Sequence, residues 1–197
     1  MYKPKMLLWC VVIMSCCNKP CSEPDYNFSV NESFSPEKDT MSVGDTLYLN
    51  WQIPKKETDV NTGNEINFSN LGNLGDHLIL TDISKFNTTN RDATDSFAFI
   101  GIEGKIYSDQ YGVKQLQFLE TDSNYSLKIG IILLRRGSYL LGIPDATGIY
   151  RNGRVKCGTG NYAVLNSNIN KHLYLFEDLW GVLSDHDRNR SYCIKVK

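Results

Sequence analysis

Histidine is scarce here, three residues in 197, and no fixed catalytic motif is present: there is no G-x-S-x-G, no H-E-x-x-H, no P-loop and no dinucleotide fingerprint. An excess of one charge is also missing. With 21 Lys and Arg against 22 Asp and Glu, the chain lacks the strongly basic surface from which phosphate affinity comes, so a nucleic-acid partner is excluded. No apolar run approaches the roughly 20 residues a spanning helix needs, which excludes a multi-pass helical membrane protein. Disorder is excluded too, because 41% of the residues are hydrophobic and the net charge is only −1. What remains is a folded, near-neutral chain long enough for one domain of ordinary size.

The first residues differ from the rest. Lys3 and Lys5 form a short positive region, and Met6 to Met14 follow as an unbroken apolar run of nine. That length suits the central part of an export signal and is too short to span a membrane. The alternative is a buried N-terminal helix or strand, but charge, apolar run and small residue come in the order that export requires.

Ile13-Met14-Ser15-Cys16 resembles the lipobox of bacterial lipoproteins of the Bacteroidetes type. The resemblance implies cleavage before Cys16, a diacylglycerol on its sulfur and acylation of its new amino group. Cys17, preceded by Met14-Ser15-Cys16, is the alternative acceptor; Cys16 is preferred because it puts Ile13 in the aliphatic position. Two or three acyl chains, at about 0.8 kcal/mol per buried methylene, anchor a protein where one chain would not. Cleavage removes two of the 21 basic residues and none of the 22 acidic ones, so the net charge moves from −1 to −3. A mildly acidic domain has no basic patch with which to hold a membrane, and the lipid supplies that hold. The expected organisation is a signal peptide over 1–15, a polar, Pro-bearing tether over 16–25 and a single domain over 26–197. The first acid after Cys16 is Glu23, which leaves inner and outer membrane face both open.

Of the six cysteines, Cys10 leaves with the signal, and Cys16, Cys17 and Cys21 sit at the tether. Cys157 and Cys193 are the pair available for a disulfide outside the cytoplasm. The other outcome, that they never meet, stays open, since spacing in sequence does not set the Cα separation that bridging demands. Neither belongs to a CxxC or Cys/His cluster, so a zinc site from them is not expected.

From residue 26 onward the dominant period is two. Leu47, Leu49, Trp51 and Ile53 share one face of a strand that Pro54 ends. Further strands are expected over His77–Ile83, over Phe97–Ile102 with a bulge or a close backbone approach at Gly101 and Gly104, and around Leu116 and Phe118. Tyr125–Leu134 and Ser138–Ile143 read as a hairpin around Arg135-Arg136-Gly137. Weaker strands follow near 153–157, 161–165 and 173–176, with a terminal strand over Tyr192–Val196. Phe176, Leu179, Trp180 and Leu183 fall on one helical face. Lys55–Asn73 and Asn87–Asp95 read as polar insertions or mobile loops. The expected fold is all-β: an antiparallel two-sheet sandwich of about nine strands with at most one short helix, immunoglobulin-like or jelly-roll-like. Phe34-Ser35-Pro36 followed by Val43-Gly44-Asp45-Thr46-Leu47 resembles the opening strands of immunoglobulin-like envelope domains.

Chemistry is harder to find. Asp185, Asp187 and Asn189 reproduce the first three ligand positions of a calcium loop, but Arg190 stands where Gly is wanted and Val196 where a closing Glu is needed. A charged turn explains these residues equally well, and no cofactor is expected. Trp51 lies on a core face, which leaves Trp180 as the tryptophan free to stack on a sugar. Six Asn-x-Ser/Thr sequons, beginning at Asn27, Asn31, Asn67, Asn87, Asn124 and Asn189, would matter in a secreted eukaryotic glycoprotein and arise by chance in an Asn-rich bacterial chain. The expectation is therefore a lipid-anchored cell-envelope binding or structural module, with an envelope protein or glycan as partner. The alternative is an envelope hydrolase or carbohydrate-processing protein using Asp185, His186 and Asp187.

Overall fold

The structure, a computed structural model, describes residues 25–69, 71, 74–84, 91–150 and 159–197. The signal, Cys16, Cys17, the tether up to residue 24, the expected strand near 153–157 and Cys157 lie outside the described residues. In chain order the strands are β1 (Tyr26–Ser35), β2 (Thr40–Met41), β3 (Thr46–Pro54), β4 (Lys56–Thr58), β5 (Glu65–Asn67), β6 (Gly75–Asp82), β7 (Phe97–Glu103), β8 (Lys105–Ser108), β9 (Lys114–Gln117), β10 (Leu119–Glu120), β11 (Asn124–Leu133), β12 (Gly137–Gly142), β13 (Ala146–Tyr150) and β14 (Thr159–Asn166). Two short helices, α1 (Tyr174–Trp180) and α2 (Asp185–Arg190), precede the last strand, β15 (Ser191–Val196).

Two large sheets share one core. The first has the order β10-β11-β3-β1-β14-β13, with β7 also paired to β11; the second runs β2-β15-β12-β6-β9-β8, and β4-β5 form a separate hairpin. Alternation decides which side chains enter. Leu47, Leu49, Trp51 and Ile53 of β3 are buried, as are Tyr125, Leu127, Ile129, Ile131 and Leu133 of β11. Aromatic rings join the sheets across the interior: Phe34 stacks on Tyr192 at 5.0 Å, and Phe97 meets Tyr139 edge-on at 4.8 Å.

The chain is mostly β, as its alternation implies, but the sheets are mixed rather than antiparallel. β1 runs parallel to β14 and β2 parallel to β15. Among the described residues, fifteen strands and two short α-helices stand where about nine strands and at most one helix are expected. Arg135–Gly137 is not a hairpin turn either. β11 is already paired on one side by β3 and on the other by β7 and β10, so no edge is free for β12, which crosses into the second sheet. Tyr139 fixes that corner by donating its hydroxyl to the carbonyl oxygens of Arg135 (3.0 Å) and Arg136 (3.3 Å).

Three further segments depart from expectation. Residues 173–176 start a helix instead of forming a strand. Within Lys55–Asn73, the β4-β5 hairpin carries Phe68 into the core, where its ring meets Phe28 at 5.5 Å. The Gly-Asp turn before β3 is as expected: Gly44 has φ +92°, and the Asp45 carboxylate accepts the Ser42 N–H at 2.8 Å. The bulge near Gly101 is present as a register shift between β7 and β11.

Candidate functional site

The outer side of the second sheet is unevenly covered. Along β6, Leu78 and Leu80 turn inward, so His77, Ile79 and Thr81 face out. Register then sets their neighbours. His77 lies beside Gln115 and Gln115 beside Tyr107, in a row across β6, β9 and β8. On the other side, Ile79 is opposite Gly142 and Thr81 opposite Leu140 of β12.

Beyond β12, the arm formed by α1 and α2 roofs this face. It leaves a cavity of about 190 Å³ between Leu140, Ile143, Phe176, Leu183 and Arg190, with Ile79 and Thr81 on its floor. A second cavity, of about 340 Å³, shares Ile79 and Thr81 and extends to His77, Arg91, Tyr111 and Val113. A third, of about 370 Å³, lies at Asp76, Tyr107, Gln115 and Gln117. The first two form a groove along β6, bounded by the helical arm on one side and by the β8-β9 connection on the other. Its open half carries apolar surface that the fold does not cover, with Tyr111 82% exposed and Ile79 37%, and Tyr107, 53% exposed, stands in the adjoining third cavity.

Trp180 is not free to stack on a sugar. Its indole N–H donates to the carbonyl of Ile83 at 2.8 Å, and the Arg91 guanidinium lies 3.9 Å from its ring centre. These contacts tie the end of α1 to the end of β6, beside Arg91 of the second cavity.

The acidic motif forms a helix, not a calcium loop. Ser184 caps α2 by accepting the Asp187 N–H at 3.1 Å, and its hydroxyl donates to the Asp187 carboxylate at 2.7 Å. Arg190 donates to the same carboxylate at 2.7 Å, and these two hydrogen bonds hold it below the usual range. Asp185, Asp187 and Asn189 therefore do not converge on one point. Among the described residues, no three His, Cys, Asp or Glu side chains are placed to hold a metal ion.

His186 reaches Asp145, with Nε2 2.8 Å from the carboxylate. Burial works to raise Asp145, but its hydrogen bonds with His186 and with the Val164 N–H outweigh it and hold the carboxyl low. This is the orienting half of a nucleophile–base arrangement. Neither Ser184 nor Cys193 serves it as a nucleophile: Ser184 points its hydroxyl at Asp187, and Cys193 lies buried under α1 with its thiol pushed up to about 12, first by burial and then by Glu177. His77 instead sits against Asp76, with Nδ1 3.2 Å from the carboxylate. Burial raises Asp76 to about 6 against that contact, and the charge of Asp145 adds to the rise.

The groove residues were not recoverable from motifs. The available signs were an outward isoleucine in β6 and a tyrosine at a turn, Asp109-Gln110-Tyr111-Gly112.

No family model matches this chain, and no curated protein matches it. Among solved structures, it is similar to the one described as PbICP-C in complex with falcipain-2, with 13% identity over 75% of this chain and 94% of that one and a TM-score of 0.24. It is also similar to the CupB6 tip adhesin from Pseudomonas aeruginosa, with 10% identity over 75% of this chain and 43% of that one and a TM-score of 0.21. At these scores neither likeness carries over to this chain. Among the described residues, no helix is long and apolar enough to cross a membrane.

Proposed function

We propose that this protein is a lipid-anchored cell-envelope module, tethered through Cys16, that binds an envelope protein or glycan in the groove along β6. Residues 1–15 act as the signal, 16–25 as the tether and 26–197 as the binding domain, with an immunoglobulin-like sandwich as its finer fold. The observation that carries the binding role is the exposed Tyr107 and Ile79 on the three strands β6, β9 and β8, with exposed Tyr111 in the β8-β9 turn beside them. Tyrosine suits either partner, because it offers a broad apolar face with a hydroxyl at its rim. Gln115 and Gln117 beside Tyr107 add amides able to meet hydroxyl groups or a peptide backbone.

The hydrolase alternative has the His186–Asp145 contact in its favour, but Ser184 and Cys193 are both turned away from it, so binding is the better supported role. The test is chemical crosslinking in native membranes. Tyr107→Ser with Tyr111→Ser should lose at least about tenfold of the crosslinked species, the effect of roughly 1.4 kcal/mol. Asn50→Ser, on the outer face of the first sheet, should keep it. Equal crosslinking by both variants would remove the groove from the account.

A further inference from the structure

The outstanding polar group in the interior is Glu32. β1 alternates with Phe28, Val30, Glu32 and Phe34 toward the core, so this carboxyl occupies a hydrophobic position in the middle of the first sheet and is 1% exposed. Its cross-strand neighbours are Trp51 on β3 and Asn166 on β14. Among the described residues no group reaches either Glu32 oxygen within ordinary hydrogen-bond geometry, and the Trp51 indole N–H and Asn166 amide nitrogen likewise reach no partner within it.

The charge that acts on Glu32 is that of Lys171, which lowers it, as does the nearby Asn166 amide; burial, the larger effect, raises it to about 8. Lys171 does not pair with the carboxylate. Its ammonium is held at the end of α2 by the carbonyls of Arg188 (3.3 Å) and Asn189 (3.2 Å). Across the interior, β6 turns Asp76 and Asp82 inward, β12 contributes Tyr139 and β15 Tyr192, with His172 edge-on to Tyr192. Among the described residues none of these is hydrogen-bonded to Glu32. A carboxylate without a partner is costly in an apolar interior, whereas the neutral acid costs far less.

We propose that Glu32 is a proton-linked latch: the folded domain holds it as the neutral carboxylic acid, and folding takes up one proton from solution at neutral pH. The balance is one solvent-exposed carboxylate plus one proton in the unfolded chain giving one buried carboxylic acid in the folded chain. The sign follows directly. Below about 4.5 both states carry the proton; between about 4.5 and 8 only the folded state does, so stability falls as pH rises; above about 8 neither does, and the fall stops. The contribution of Glu32 thus favours the folded domain most in a mildly acidic medium. This inference is independent of the groove and of the anchor.

The test is the unfolding equilibrium of the wild type and of Glu32→Gln, measured in denaturant from pH 4.5 to 9. Relative to the variant, the wild-type folding constant should fall about tenfold per pH unit up to about 8 and then run parallel. Taking the difference between the two proteins cancels the contribution of Asp76, which both share. Parallel curves throughout would overturn the proposal. If Glu32→Gln does not fold, carbon-13 NMR of the wild type gives the same decision. One glutamate carboxyl should titrate near pH 8, and complete ionisation of every glutamate by pH 6 would refute the latch.

Discussion

Trp51 shows how one side chain joins the two levels of the fold. It is buried on the core face of β3, and its ring meets Phe118 edge-on at 4.8 Å. Trp51→Ala should therefore cost about 3–5 kcal/mol in denaturant unfolding, as large aromatic deletions in cores do; a loss below about 1 kcal/mol would mean the site is not packed. Its position was legible because Leu47, Leu49 and Ile53 repeat on the same parity. Glu32 has the same kind of position, on the parity of Phe28, Val30 and Phe34, but an acid in an apolar alternation says nothing of how closely its surroundings exclude water. The burial of Cys193 was hidden for a related reason. β15 alternates like a half-covered strand, yet α1 covers its second face, and the coverage belongs to another segment.

At the scale of elements, local pattern told strand from turn better than it told one kind of turn from another. The sequence around Arg135-Arg136-Gly137 is compatible with a hairpin, and only the pairing of β11 on both sides forbids one. The run Asp185–Arg190 has donors at alternate positions, which suits a cation loop, but Ser184 with Asp187 three places on is a helix-capping pattern, and the cap prevails. Ser184→Ala should lower the unfolding free energy by about 1 kcal/mol and reduce amide protection in α2. An unchanged unfolding curve with unchanged protection would show that the cap does not hold this helix. The groove depends on the same element, since α2 supplies Asp187 and Arg190 to its roofed end.

At the scale of the whole molecule, the alternation of residues sets the faces of strands but not their neighbours. β1 is joined in parallel by β14, and β2 by β15 near the other end of the chain. No short stretch of sequence encodes such pairings, so the mixed character of both sheets was not legible, whereas the two-layer β architecture was. The compartment rests on different ground: the order of Lys3, Lys5, nine apolar residues and Cys16 at the N-terminus. The groove matters to the envelope only if that leader directs the domain there. The most direct test is the intact mass of the protein purified from its native cells. The account predicts a chain that begins at Cys16 and carries acyl groups. A chain that still begins at Met1, with no acyl mass, would contradict it.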